Sequence, residues 1–304
     1  MIVLNSLFPV FALLVLGSLL KRFGLSNETF LKTSDKLVYF IFFPAMLFWK
    51  IGGAASTGET EWGLCKAALA SVFAIYILSS LYIRFSNVTD YEAGTFSQSC
   101  YRFNTYIGMA IIMNALGEEG IRLFGIMIGL AIPIINVLAV STLIWFSGKS
   151  FTLSQRIQMT LRSLVSNPLI LACVAGLLYS KFVSTFPVAV GNMLRLATSV
   201  TLPLALLSIG GTLTFANLKG AFRLSLVASV FKLLIFPVIG YFFLNAFDVT
   251  GISLRVGLIF FTLPTATSIY VLSAQLNSDT ELASAAIVLS TVLSFFSMSV
   301  ALLI

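Results

Sequence analysis

The chain is a succession of long apolar segments separated by short polar stretches. Apolar runs of about 20 residues recur along the whole chain, and this is the length that an α-helix needs to cross a bilayer. The expected fold is therefore an all-α integral membrane protein with ten transmembrane helices. The predicted spans are residues 2–20, 37–53, 62–83, 94–116, 121–147, 164–180, 188–213, 221–246, 253–276 and 282–304.

Charge and composition fit a lipid environment. Of 304 residues, 59% are hydrophobic and 10% are charged, and the net charge is +7. Most Lys and Arg residues fall in short loops, where membrane topology explains them and nucleic-acid binding is not expected. Counted by side, the loops after odd-numbered spans and the span ends next to them hold 10 of them, against 6 on the opposite side. The positive-inside rule then places both termini outside the cytoplasm of a cell-membrane protein.

The second half of the chain repeats features of the first half. Five spans in each half imply that the second half enters the membrane from the opposite side, as in the inverted repeats of secondary transporters. The predicted divisions are a first repeat at 1–147, a cytoplasmic linker at 148–163 and a second repeat at 164–304. The matched positions, 159 residues apart, are Pro9 with Pro168, Gly17 with Gly176 and Pro44 with Pro203, and the four prolines are expected to kink their helices.

Spans 4 and 9 carry polar residues at matching positions. Asn104 of span 4 is matched with Pro264 of span 9 at a shift of 160 residues. Pro264 removes a backbone donor and disfavours helix at Leu263, so span 9 is expected to break there. In span 4 the break is assigned to Asn104 and Gly108. Interrupted segments at equivalent places in two repeats indicate a binding site near the midplane. The alternative is an intact span whose polar residues pack against its neighbours.

Six motifs, in order along the chain, resemble the auxin efflux carrier family. They read "LVYFIFFPAMLF", "YRFNTYIG", "SNPLILACVAGLL", "LPLALLSIGGTL", "FKLLIFPVIG" and "LPTATSIYVLSAQLNSDTELASAAIVLSTVLSF". The resemblance covers essentially the whole chain, and bacterial members of the family include permeases assigned to malonate and related organic acids. One departure is that the family pattern has a proline shortly after the asparagine of span 4, where this chain reads Gly108, Met109, Ala110.

The resemblance implies a fold similar to that of bile-acid sodium symporters. Spans 1, 2, 6 and 7 would form a scaffold, and spans 3 to 5 and 8 to 10 would form a transport domain in which broken spans 4 and 9 cross. It also implies homodimers through spans 2 and 7. The expected partners are the lipid bilayer and a small organic anion, with no cofactor.

The ionisable residues in the predicted spans favour an anionic substrate. Arg102 and Lys232 lie deep in spans 4 and 8, and no acidic residue is predicted at comparable depth. The candidate substrate-binding residues are Arg102, Asn104, Thr105, Tyr106, Gly108, Pro264, Thr265, Thr267 and Ser268, and the candidate ion or anion contacts are Gln98, Asn136 and Lys232. Arg102 could instead cap backbone carbonyls, and Lys232 could be structural. Asn104 and Thr105 could form hydrogen bonds within the crossing and not to a ligand.

Several functions remain open at this stage. With no deep carboxylate to carry a proton or bind sodium, an export-favouring electrogenic uniporter with alternating access is expected. A sodium- or proton-coupled symporter is the alternative, and a non-transporting sensor that acts with a partner is the alternative of another class. The chain has no histidine, no predicted metal site and no deep acidic pair, so we do not expect an enzyme.

Overall fold

The protein is helical in the part of the chain that the computed structural model describes, which is residues 2–53, 62–147, 153–183, 185–213 and 218–304. No strand occurs in those ranges. The helices are α1 (Ile2–Arg22), α2 (Glu28–Leu37), α3 (Phe43–Gly52), α4 (Trp62–Phe85), α5 (Asp90–Tyr101), α6 (Thr105–Phe146), α7 (Leu153–Val165), α8 (Pro168–Phe182), α9 (Val188–Ser199), α10 (Thr201–Thr212), α11 (Leu218–Val230), α12 (Phe236–Ala246), α13 (Gly251–Thr262), α14 (Ser268–Gln275) and α15 (Thr280–Leu303).

Six helical segments of the described residues are long and apolar enough to cross a membrane, and α8 and α13 are shorter apolar helices. One segment, Asp90–Phe146, has 57 residues. A straight helix of that length would measure about 85 Å, far more than one bilayer requires. It is interrupted after α5 and again within α6 at Gly117, whose φ of 65° is in the left-handed region. The all-helical membrane fold is confirmed, and the total of ten spans stays a prediction.

One compact unit of the chain contains residues 1–62, 106–130 and 165–213. Within it α1 packs along α10, and α3 packs along α8. Glycines permit the approach of α1 to α10, since a Cβ at Gly17 would overlap the carbonyl of Leu207 and a Cβ at Gly210 would overlap that of Leu14. Small residues of this kind are what bring helices together where no hydrophobic effect drives association.

The other compact unit contains residues 63–105, 131–164 and 214–304. Here α15 packs against α11, α13 and α5, and α12 packs against α13. Tyr82 of α4 and Phe96 of α5 meet Phe231, with ring centroids 5.6 and 5.9 Å from that of Phe231. Each unit draws on both halves of the sequence, while the predicted boundaries at 147 and 164 remain predictions.

The prolines mark several departures from regular helix. Pro44 is the second residue of α3, which follows a π-helical turn at Val38–Phe42, and Phe231–Ile235 forms a second π-turn directly before α12. Each π-turn precedes a Phe-Pro pair, as expected where a proline removes an intrahelical donor and crowds the preceding turn. Pro9 lies inside α1, and Pro203 is the third residue of α10.

One predicted feature of the second repeat needs correction, and the linker before it stays a prediction. Pro168 does not kink a helix, because it is the first residue of α8, where a missing N–H costs no hydrogen bond. Asn167 caps that helix by accepting from the backbone N–H of Leu169, at 3.0 Å. The predicted linker at 148–163 also contains most of a helix, α7, while residues 148–152 lie outside the described part of the chain.

Candidate functional site

The first interruption lies between α5 and α6. A capping box begins α5, with Thr89 and Glu92 satisfying each other's backbone N–H groups. The helix ends at Tyr101, and Arg102 turns into an extended conformation with φ of −69° and ψ of 145°. Residues 102–104 are not helical, and α6 begins at Thr105. The break in span 4 therefore consists of residues 102–104 and ends at Asn104.

The second interruption lies between α13 and α14. Leu263 adopts an extended conformation with φ of −63° and ψ of 145°, which is the conformation that a following proline imposes. Residues 263–267 are non-helical, and α14 begins at Ser268. Both Pro264 and Thr265 are buried. The predicted break at Pro264 is thus present.

The two interruptions contact each other directly. The backbone N–H of Asn104 donates to the carbonyl of Pro264 at 2.9 Å. The Thr265 hydroxyl donates to the carbonyl of Ser99, the third residue from last in α5, at 3.0 Å. The Thr265 N–H donates to the Ser290 hydroxyl of α15 at 3.1 Å. Backbone groups freed by the breaks are satisfied by these bonds, as burial away from water requires.

Positive charge gathers beside this crossing. The guanidinium of Arg102 is half-buried, and its Nη2 donates to the hydroxyl of Ser268 at 3.2 Å. Ser268 is the first residue of α14, so the guanidinium adjoins the end of the helix that carries partial positive charge. Two positive groups held near one hydroxyl repel each other, and an anion bound between them would relieve that repulsion.

A cluster of buried hydroxyls continues from the crossing along α5 and α14. Thr95 Oγ1 lies 2.7 Å from Ser273 Oγ and 2.9 Å from Ser278 Oγ, and Gln98 Nε2 donates to Ser273 Oγ at 2.9 Å. The other amide atom of Gln98, Oε1, is buried and has no hydrogen-bond partner among the described residues. The sequence predicts Gln98 as an ion or anion contact. The hydroxyl residues beside it, Thr95, Ser273 and Ser278, are not among the predicted site residues.

Lys232 lies in the π-turn before α12 and is 0% exposed. Its Nζ is 4.3 Å from the centre of the Phe236 ring, a cation–π contact, and no described residue accepts a hydrogen bond from it. Phe236 in turn meets Phe260 of α13, and Phe260 packs on Phe103 in the first interruption, with centroids 6.0 and 4.6 Å apart. Aromatic rings thus connect the neighbourhood of Lys232 to the crossing.

Other predicted residues are distributed around this centre. Thr105 begins α6 and Thr267 precedes α14, and both are partly buried. Asn136 is buried farther along α6. Gly108 needs correction as part of the break, because it lies inside α6, where the helix is already regular.

The unit that contains Tyr106 holds an acid that the sequence interpretation overlooked. The Tyr106 ring makes an edge contact with Phe43 at 4.8 Å between centroids, and Asp35 of α2 is close enough to interact with Tyr106 electrostatically. Asp35 is exposed, but the protein atoms on one side of its carboxyl raise its pKa above the ordinary value of an aspartate, and the nearby Ser208 hydroxyl, which donates to the carbonyl of Leu31, partly opposes this rise. The sequence of α2 is polar, so the prediction assigns it to a loop and does not include Asp35 among the site residues.

Among the described residues, no three His, Cys, Asp or Glu side chains gather in a way that would hold a metal ion. The three cysteines are buried and unbridged. What the crossing offers is a guanidinium, helix N-termini, hydroxyls and a buried amide, which together can bind and release a polar or anionic molecule.

Comparison with known proteins agrees with this description. A family model described as membrane transport protein matches residues 2–302. An uncharacterized transporter of Methanocaldococcus jannaschii is 21% identical over 301 residues, covering 97% of this chain and 96% of that protein. The match of the family model over nearly the whole length, together with the six motifs of the sequence, shows that the chain belongs to the membrane transport protein family, that of the auxin efflux carriers.

Proposed function

We propose that the protein is a secondary transporter that carries small organic anions, such as monocarboxylates and dicarboxylates, by alternating access. The observation that carries the proposal is the crossing of two interrupted helices, with the Arg102 guanidinium at the start of α14. Helix N-termini at such interruptions are suited to the carboxylate of a substrate. Arg102, Asn104, Thr105, Thr265, Thr267 and Ser268 would then contact the substrate or shape its site.

Paired helix contacts support the inverted repeat behind this mechanism. The repeat relates span 1 to span 6 and span 2 to span 7. It therefore relates the packing of α1 on α10 to the packing of α8 on α3. Gly17 and its counterpart Gly176 both sit at these contacts, since a Cβ at Gly17 would overlap Leu207 and a Cβ at Gly176 would come within 3.0 Å of Ile51.

The charge of the substrate favours outward movement. The interior-negative membrane potential drives each negative charge out of the cell with about 2.3 kcal/mol per 100 mV. No coupling ion is then needed for export, and none of the acidic residues lies in the crossing described above. We therefore infer an export-favouring electrogenic uniport in the cell membrane, with both termini outside the cytoplasm as the basic loops indicate.

The proposal is tested by exchange transport in proteoliposomes. Vesicles loaded with unlabelled malonate, malate or succinate are mixed with the labelled acid, and wild type is compared with Arg102→Gln. Because a hydrogen bond to a charged group contributes about 1.5–3 kcal/mol, transport should fall by about tenfold or more in the variant. Arg255→Gln, at an exposed position of α13, is the matched control and should transport normally.

Either of two results would contradict the proposal. One is an absence of saturable exchange of any carboxylate by folded wild-type protein. The other is an equal loss in Arg102→Gln and Arg255→Gln, since the effect would then follow net charge and not the crossing.

A further inference from the structure

Helix α7 carries an apolar stripe that the described protein leaves uncovered. Ile157, Leu161 and Val165 are 50%, 55% and 69% exposed, and they follow one another at four-residue intervals. At about 100° per residue, this spacing puts them on one face. Gln155 and Arg162 are also exposed and lie on the polar side that flanks this stripe, about 120° and 100° around the helix from Leu161. The helix is therefore amphipathic, with its apolar side open.

The position of α7 in the chain limits what can cover that stripe. It follows α6, which ends at Phe146, and α8 begins at Pro168, only three residues after Val165. Both neighbours are apolar helices of a membrane protein. A helix tethered this closely between two such helices lies at the level of the bilayer surface. Acyl chains are thus within reach of the apolar side without any further protein.

The basic residues of α7 favour the leaflet of the bilayer that carries anionic lipids. The helix contains Arg156 and Arg162 and no acidic residue. It belongs to the loop between spans 5 and 6, on the side of the chain with the excess of basic residues. Amphipathic helices with basic polar sides lie in the bilayer interface and are attracted to anionic lipids, which are concentrated on the cytoplasmic leaflet.

We infer that α7 is an interfacial helix whose Ile157, Leu161 and Val165 enter the acyl region of the cytoplasmic leaflet while Arg162 binds anionic lipid headgroups. The bilayer is favoured over a second protein because it is continuous with the surface that α6 and α8 already occupy. An anionic headgroup also complements a helix that has two arginines and no acid.

Depth-dependent fluorescence quenching tests this placement in the full-length transporter. Ile157→Cys and Gln155→Cys are each labelled with an environment-sensitive maleimide fluorophore. The label reacts selectively with the introduced cysteine because the native Cys65, Cys100 and Cys173 are buried. The proteins are reconstituted in phosphatidylcholine vesicles with or without phosphatidylglycerol. One quencher is a nitroxide on a lipid acyl chain, and the other is aqueous iodide.

The label at 157 should be quenched several-fold more by the acyl nitroxide than the label at 155, and iodide should show the reverse order. Adding phosphatidylglycerol should increase nitroxide quenching at 157, and Arg162→Gln should abolish that increase. Equal quenching at the two positions would overturn the inference. Protection of the 157 label from both quenchers would also overturn it, since a protein surface would then cover the stripe. A response to phosphatidylglycerol that Arg162→Gln leaves intact would contradict the role of the guanidinium.

Discussion

At the scale of single residues, Thr265 joins the second interruption to two helices of its unit. Its hydroxyl donates to Ser99 in α5, and its backbone N–H donates to Ser290 in α15. It is 1% exposed, so neither water nor headgroups can replace these partners. The Thr265 hydroxyl therefore makes one of the buried bonds that hold the second interruption against α5.

Replacing Thr265 with valine should keep the shape of the side chain and remove the bond to Ser99. A buried acceptor that loses its donor costs about 1–3 kcal/mol, so thermal unfolding of the detergent-solubilised protein should begin at a lower temperature. Thr265→Ser should behave like wild type. Thr267→Val is the control, because the Thr267 side chain makes no capping bond to α14. Equal effects at the two positions would contradict this role of the Thr265 hydroxyl.

Asp35 makes stability depend on pH. Its folded-state pKa is raised above the ordinary value of 3.8 because protein atoms on one side of the carboxylate desolvate it. The folded protein therefore holds this proton more tightly than the unfolded chain does. The resulting stabilisation is present at low pH and is lost as pH rises from 3.8 through the folded-state pKa.

Asp35→Asn should consequently be slightly more stable than wild type near neutral pH, by a small margin because the residue is exposed and water screens the charge, and the difference should shrink as the pH approaches the unfolded-state pKa. Melting temperatures of the two proteins across this interval measure the effect. A variant that is less stable than wild type at every pH would show that the favourable influence of the Ser208 hydroxyl on the carboxylate outweighs desolvation.

At the scale of elements, contact between helices depends on positions without a side chain. The Cβ of an alanine at residue 17 or 210 would overlap a backbone carbonyl of the facing helix, which cannot move as a flexible side chain can. Because α1 and α10 are rigid, the whole contact would have to widen and lose van der Waals contacts along its length.

Gly17→Ala and Gly210→Ala should each destabilise the protein by about 1–3 kcal/mol, in the range of overpacked interiors. Gly191→Ala in α9 is the matched control, since its Cβ would meet only Phe186 at 3.9 Å, and helix propensity favours alanine. Thermal unfolding of the three variants provides the comparison. An equal shift in all three would mean that helix propensity, and not the close contact, governs these sites.

The sequence predicts some of these elements better than others. Pro264 acts locally, on its own nitrogen and on the residue before it, so the break between α13 and α14 follows from the sequence. The break between α5 and α6 is held by a hydrogen bond from Asn104 to Pro264, 160 residues away. The sequence prediction, which has no access to that bond, therefore extends the break to Gly108. No pattern around residue 104 alone contains that partner.

Helix α7 and Asp35 were overlooked for another reason. Both lie in polar stretches between apolar runs, and a search for spans assigns such stretches to loops. In α7 the apolar residues recur every four positions, which is the signal of an amphipathic helix at an interface. Tertiary contacts such as that between Asp35 and Tyr106 have no comparable signal in the sequence.

At the scale of the whole molecule, the central claim is that a membrane protein with this crossing moves organic anions and their charge. The family match establishes a membrane transport protein. The guanidinium at the start of α14 and the buried Lys232 are what indicate an anion as its substrate. Transport without a coupling ion would be electrogenic, so charge movement reports directly on both parts of the claim.

The decisive measurement is the current produced by purified protein in liposomes when malonate, malate, succinate or indole-3-acetate is added without a sodium or proton gradient. Wild type and Asn104→Ala are compared at equal protein density. We expect a saturable current for at least one acid and its loss in Asn104→Ala. A current that appears only when a sodium or proton gradient is imposed would contradict uniport and indicate a coupled carrier.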